Sequence, residues 1–149
     1  GGFLRRIGTP IDLDAPVCAL VAHHLAPHHG QQGEFTDTRV RRLARKLSPA
    51  TIDDLALVMT ADSLGRPPLR SPETLALIDQ LRIKAHELDL ERAAPRAIML
   101  GRHLLALGFK PGPEFKPILD AAFEAQLDGA FTDEAGGAAW LQKHLSPQP

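Results

Sequence analysis

Asp37-Thr38-Arg39-Val40-Arg41-Arg42-Leu43-Ala44-Arg45-Lys46-Leu47 is the stretch that decides how this chain folds. Val40, Leu43, Ala44 and Leu47 recur at steps of three and four, so they share one face of a 3.6-residue helix. Arg39, Arg41, Arg42, Arg45 and Lys46 fill the other positions, with Asp37 as N-cap. The same period governs the segments on both sides, and no convincing alternation of a strand appears. Tyrosine is absent and β-branched residues are scattered, which also argues against a sheet. The expected fold class is all-α, with about six to eight helices in two small packed helical subdomains and no sheet.

Upstream, a helix is expected from about residue 14 to 25, with Pro16 in its first turn and Val17, Leu20, Val21 and His24 on one face. Pro27 ends it, and His28 to Glu34 reads as a polar loop. Downstream, Ser48-Pro49 reads as an N-cap and first helical position. The helix it starts runs over 49–64 and is buried through Ile52, Leu55, Val58 and Met59. Gly65-Arg66-Pro67-Pro68 breaks it, and the subdomain boundary is placed there, giving segments 1–66 and 67–149. Ser71-Pro72 repeats the start signal for a helix to about residue 90, through Leu75, Ile78, Leu81, Ala85 and Leu88. Helices over 97–107 and 113–128 should stop on Gly108 and Gly129. Thr132, Asp133 and Glu134 begin a last one carrying Trp140, Leu141 and Leu145.

The chain has 149 residues, 44% of them apolar, enough for a real core. Its formal net charge of −1 gives the whole molecule no preference for nucleic acid. Charge is nonetheless polarised: residues 35–70 hold seven Lys/Arg against four Asp/Glu, and residues 120–149 hold one against five. Cys18 is the single cysteine, which favours a reducing compartment and a packed thiol. No apolar run approaches the roughly 18 residues of a membrane span, and no signal-peptide pattern opens the chain. A cytoplasmic protein without a membrane partner is expected. Phe3-Leu4-Arg5-Arg6-Ile7-Gly8 follows Gly1-Gly2 as though mid-domain, the pattern of a fragment or truncated relative of something longer.

The arginine helix is a candidate phosphate-binding face, and Arg66 would extend it. A second candidate is the Gly108-Phe109-Lys110-Pro111-Gly112-Pro113 turn. Its prolines stiffen it, Gly112 lets a backbone approach, and Pro113 suits the first position of the next helix, beside Lys110 and Lys116. Glu114 competes for that dipole. His23 and His24 suggest metal ligands at first sight, but neighbours on a helix point about 100° apart. Asp62 is the one carboxylate placed to approach them, and helix-end histidines are the favoured reading. Asp53-Asp54 reads as complementing a helix dipole. Walker, dinucleotide, Cys-x-x-Cys and Gly-x-Ser-x-Gly motifs are missing.

With these residues in view, the chain resembles the non-catalytic region of bacterial tRNA nucleotidyltransferases (CCA-adding enzymes) of the poly(A) polymerase family. Gly101-Arg102, then Gly108 to Phe115, then Ala125-Gln126-Leu127-Asp128-Gly129 and the Thr132 helix start are similar to the family's C-terminal tail signature. Val40 to Ala44 with Ala61-Asp62-Ser63-Leu64-Gly65-Arg66 looks like the middle of those enzymes. Phe3 to Gly8 and Leu20-Val21-Ala22-His23-His24 resemble the end of an HD-type helical domain.

The resemblance implies a tRNA-binding body-and-tail module that holds the acceptor and T arms by backbone and shape, and is non-catalytic by itself. Arg41, Arg42, Arg45, Lys46 and Arg66 would meet phosphates, with Lys110, Gly112 and Lys116 at the turn. Its further partner would be a nucleotidyltransferase head in cis. The resemblance does not extend to that head, whose Gly-Ser and Asp-x-Asp motifs carry the metal carboxylates, so Mg, CTP and ATP are implied for the complete enzyme and no cofactor is expected in this chain. His103 stands where the family tends to have aspartate, and Lys116 where it tends to have glycine. The alternatives are a degenerate HD-type metal-dependent phosphohydrolase around His23, His24 and Asp62, or a helical protein-interaction scaffold.

Overall fold

A computed structural model of the chain describes residue 6 and residues 11–24, 35–65 and 72–145. Among them are seven helices and no strand: α1 Ile11–His23, α2 Asp37–Leu47, α3 Ile52–Leu64, α4 Pro72–Glu87, α5 Gly101–Ala106, α6 Phe115–Leu127 and α7 Glu134–Leu145. The all-α class is therefore as the periodicity requires. Arg66 and the loop histidines 28 and 29 lie outside the described residues.

The chain separates into two compact units, 1–95 and 96–149. The proline-rich break had placed the division at 66/67. Instead α4 shares the core of the first unit, where its Ile78, Leu81 and Ala85 pack with Leu55 and Met59 of α3. A break in helical periodicity marks the end of an element, while a unit boundary depends on which apolar faces bury each other.

In the first unit the α2 stripe is buried as its spacing dictates, with Val40, Leu43, Ala44 and Leu47 at most 8% exposed. Each of the larger ones contributes about 1.5–3 kcal/mol by leaving water. The Thr36 hydroxyl accepts from Arg39 N at 3.3 Å, so Thr36 rather than Asp37 is the N-cap. Helix α3 likewise starts later than Pro49. Thr51 and Asp54 form a reciprocal capping box, with Asp54 N donating to the Thr51 hydroxyl at 3.1 Å and Thr51 N to the Asp54 carboxylate at 3.0 Å. That box sets the start of the helix at Ile52, and it gives Asp54 the helix-start role expected of it.

The buried face of α3 runs through Ile52, Leu55, Ala56 and Met59, and this turns Val58 outward. Val21 of α1 is also exposed, while Leu20 packs on the core. Pro16 lies inside α1, past its first turn. Helix α4 stops at Glu87, three residues early, because Asp89 takes a left-handed φ of 55°. Leu90 N then reaches Ala85 O at 2.8 Å and Asp89 N reaches His86 O at 3.1 Å, closing a Schellman motif.

The second unit packs Met99, Leu104, Ala122, Phe131 and Leu141. Gly108 and Gly129 end α5 and α6 with φ of 87° and 82°, as their positions predict. Helix α5 is shorter than the pattern suggests, because buried Gln126 holds the preceding segment. Its Oε1 accepts from Ile98 N at 2.9 Å and its Nε2 donates to Arg96 O at 2.8 Å. Those backbone groups are satisfied without helix, so α5 starts only at Gly101.

Candidate nucleic-acid interface

Five cations on eleven residues of α2 do not share one face. Successive side chains turn by about 100°, so Arg41 and Arg42 point differently although they are neighbours. Arg41 turns toward the start of its own helix, where its Nη2 meets Asp37 Oδ2 at 3.4 Å. Asp37 also receives Lys84 of α4, Nζ to Oδ1 at 2.9 Å, and Lys84 reaches Glu87 at 3.0 Å. The Lys84 hydrogen bond holds the Asp37 carboxyl below its ordinary range, with Arg41 adding to the effect. In return, Asp37 and Glu87 hold the Lys84 ammonium above its own. This cluster ties α2 to α4, and Arg41 is engaged there.

Arg39, Arg42 and Lys46 follow the i, i+3, i+7 pattern and do line one surface. They flank a groove of about 390 Å³, whose walls include Phe35, Leu43 and the Thr36 and Thr38 side chains. His23, at the end of α1, completes it. The Arg39 guanidinium lies over the Phe35 ring, 5.1 Å from its centroid, in cation–π geometry. Arg45 is exposed but lies outside the groove.

Of the cations expected to meet phosphate, Arg42 and Lys46 thus stand together, while Arg41 and Arg45 do not line that groove. Arg39, Phe35, the two threonines and His23 join it unforeseen. The i, i+3, i+7 spacing of Arg39, Arg42 and Lys46 was the signal that could have found the face.

A larger cleft of about 580 Å³ in the same unit, beside α3 and α4, has the opposite character. Asp53, Asp79, Glu87 and Glu91 line it with Arg82, Arg92 and His86. Arg82 and Arg92 approach the two oxygens of Asp53 at 3.9 and 3.7 Å. Glu91 is held below the usual carboxylate range by its own backbone N–H and by His86, whose Nδ1 is 3.1 Å away. Four carboxylates make this wall a poor host for phosphate.

At the turn of the second unit, Phe109 N reaches Leu104 O and Gly108 N reaches Leu105 O, both at 3.0 Å. Helix α6 begins at Phe115, two residues after Pro113, and Phe115 N is already taken by Gly112 O at 3.1 Å. Lys116 does not face the turn but pairs with Asp120 one helical turn on, at 2.7 Å. Glu114 occupies the N-cap. Lys110 and Gly112 remain exposed.

His24 Nδ1 lies 2.7 Å from Val21 O, a local helix-end contact. Among the described residues no group of three or more His, Cys, Asp or Glu could hold a metal ion, so His23, His24 and Asp62 are not gathered into a ligand set. Among the described residues no helix is long and apolar enough to cross a membrane. Comparison with family models, curated proteins and solved structures finds no match to this chain.

Proposed function

We propose that this chain is an RNA-binding helical module that grips the phosphate backbone of tRNA, in the manner of the non-catalytic region of a tRNA nucleotidyltransferase. The observation that carries the reading is the α2 groove, in which Arg39, Arg42 and Lys46 line one surface. Two guanidiniums and an ammonium suit phosphate oxygens, the first bidentate and the second as a point charge. Such contacts position RNA without reading its bases. The tail-like signature from Gly101 to Gly129 supports the choice of tRNA. Catalysis, Mg and nucleotide substrates belong to a head domain acting beside this module.

Titration of tRNA into the protein over 50–200 mM salt, a span over which counterion release is large, tests the proposal. Three neutralised phosphates predict that log K falls with log salt at a slope of about −2 to −3. Binding without a salt slope, or none at all, would instead favour the protein-interaction scaffold.

A further inference from the structure

We infer that the α2 groove seats an unpaired nucleotide of a single-stranded RNA segment, rather than the flank of a duplex. This deepens the RNA reading and rests on it. The groove is concave and about 390 Å³ in volume, the scale of a small-ligand pocket. An A-form duplex is far too wide to enter it and could touch only its rim. A splayed-out nucleotide fits, and unstacked bases are what proteins take up on aromatic rings and arginine planes.

The two ends of the groove differ in chemistry. Arg42 and Lys46 supply charge. At the other end the Arg39 guanidinium lies over Phe35 in a cation–π contact, 5.1 Å from the ring centroid, and buried Leu43 also lines the groove. Arg39 and Lys46 are seven residues apart, roughly 10 Å along the helix axis. That distance separates a base on the Arg39 plane from phosphates at Arg42 and Lys46. The nucleotide therefore stacks its base on the Arg39–Phe35 pair and lays its phosphates toward Lys46.

The test compares two probes on the intact chain: a single-stranded RNA tetranucleotide, and a blunt RNA duplex too long to fray. The inference predicts at least 10-fold tighter binding of the single strand per site. Arg39→Lys keeps the charge but loses the planar surface. It should weaken the tetranucleotide roughly 5- to 10-fold, in line with base stacking, without changing the salt slope. Lys46→Ala should make the slope shallower by about 0.7. Circular dichroism of both variants checks that helicity is retained. Equal or tighter duplex binding, or an Arg39→Lys protein with native affinity, overturns the nucleotide seat and leaves the tRNA reading standing. Failure of both probes and of tRNA to bind overturns both.

Discussion

The α2 groove sets basic side chains along the length of a helix and the Gly108–Pro113 turn sets them beside a helix start, and the two differ in what surrounds the charge. In the groove, Arg39, Arg42 and Lys46 line one surface with threonine, histidine and apolar neighbours. At the turn, Lys116 spends its charge on Asp120 and Glu114 sits at the dipole end. Lys116 is thus engaged by a carboxylate of its own helix, one turn on. Counting lysines and arginines along the chain misses this, because the competition is set by helical phase.

Several substitutions can break or sharpen that contrast. The largest effect on stability is expected from Gln126→Ala, which strips the partners from Arg96 O and Ile98 N. It should lower the stability of the second unit by about 1–3 kcal/mol, seen as an earlier thermal transition, while tRNA affinity stays within about 2-fold. A large loss of tRNA binding at moderate temperature would show that the second unit contributes more than assigned. Gly108→Ala comes next. Its φ of 87° is strained for any L side chain, although open space surrounds the added carbon. The cost should be about 1–2 kcal/mol, measurable by denaturant titration, with RNA binding again little changed.

Much of the fold was legible in local patterns. The stripe Val40, Leu43, Ala44, Leu47 and the stops at Gly108 and Gly129 depend only on residues within a turn or two of each other, so spacing suffices. The Gln126 clamp joins residues 28 and 30 positions apart, and no periodicity announces it. The left-handed Asp89 was hidden for another reason: the apolar pattern continues through Leu88 and Leu90 although the helix has ended.

At the candidate site, the cluster of cations was visible but its division was not. Arg41 is drawn off by Asp37, which Lys84 from a distant helix holds in place. Lys116 pairs with Asp120 at a spacing of four, a signal the sequence does carry. The family resemblance weighted the turn because its residues are distinctive, whereas geometry weights the arginine helix.

The central claim is that the groove, not the turn, holds RNA. Its most direct test is tRNA affinity measured in parallel for native protein, Arg42→Glu/Lys46→Glu and Lys110→Glu/Lys116→Glu, at one salt concentration and with helicity checked. The groove reversal should weaken binding on the order of 100-fold, since two attractive phosphate contacts become repulsive, and the turn reversal less than about 3-fold. Equal losses, or a greater loss from the turn reversal, would contradict the account.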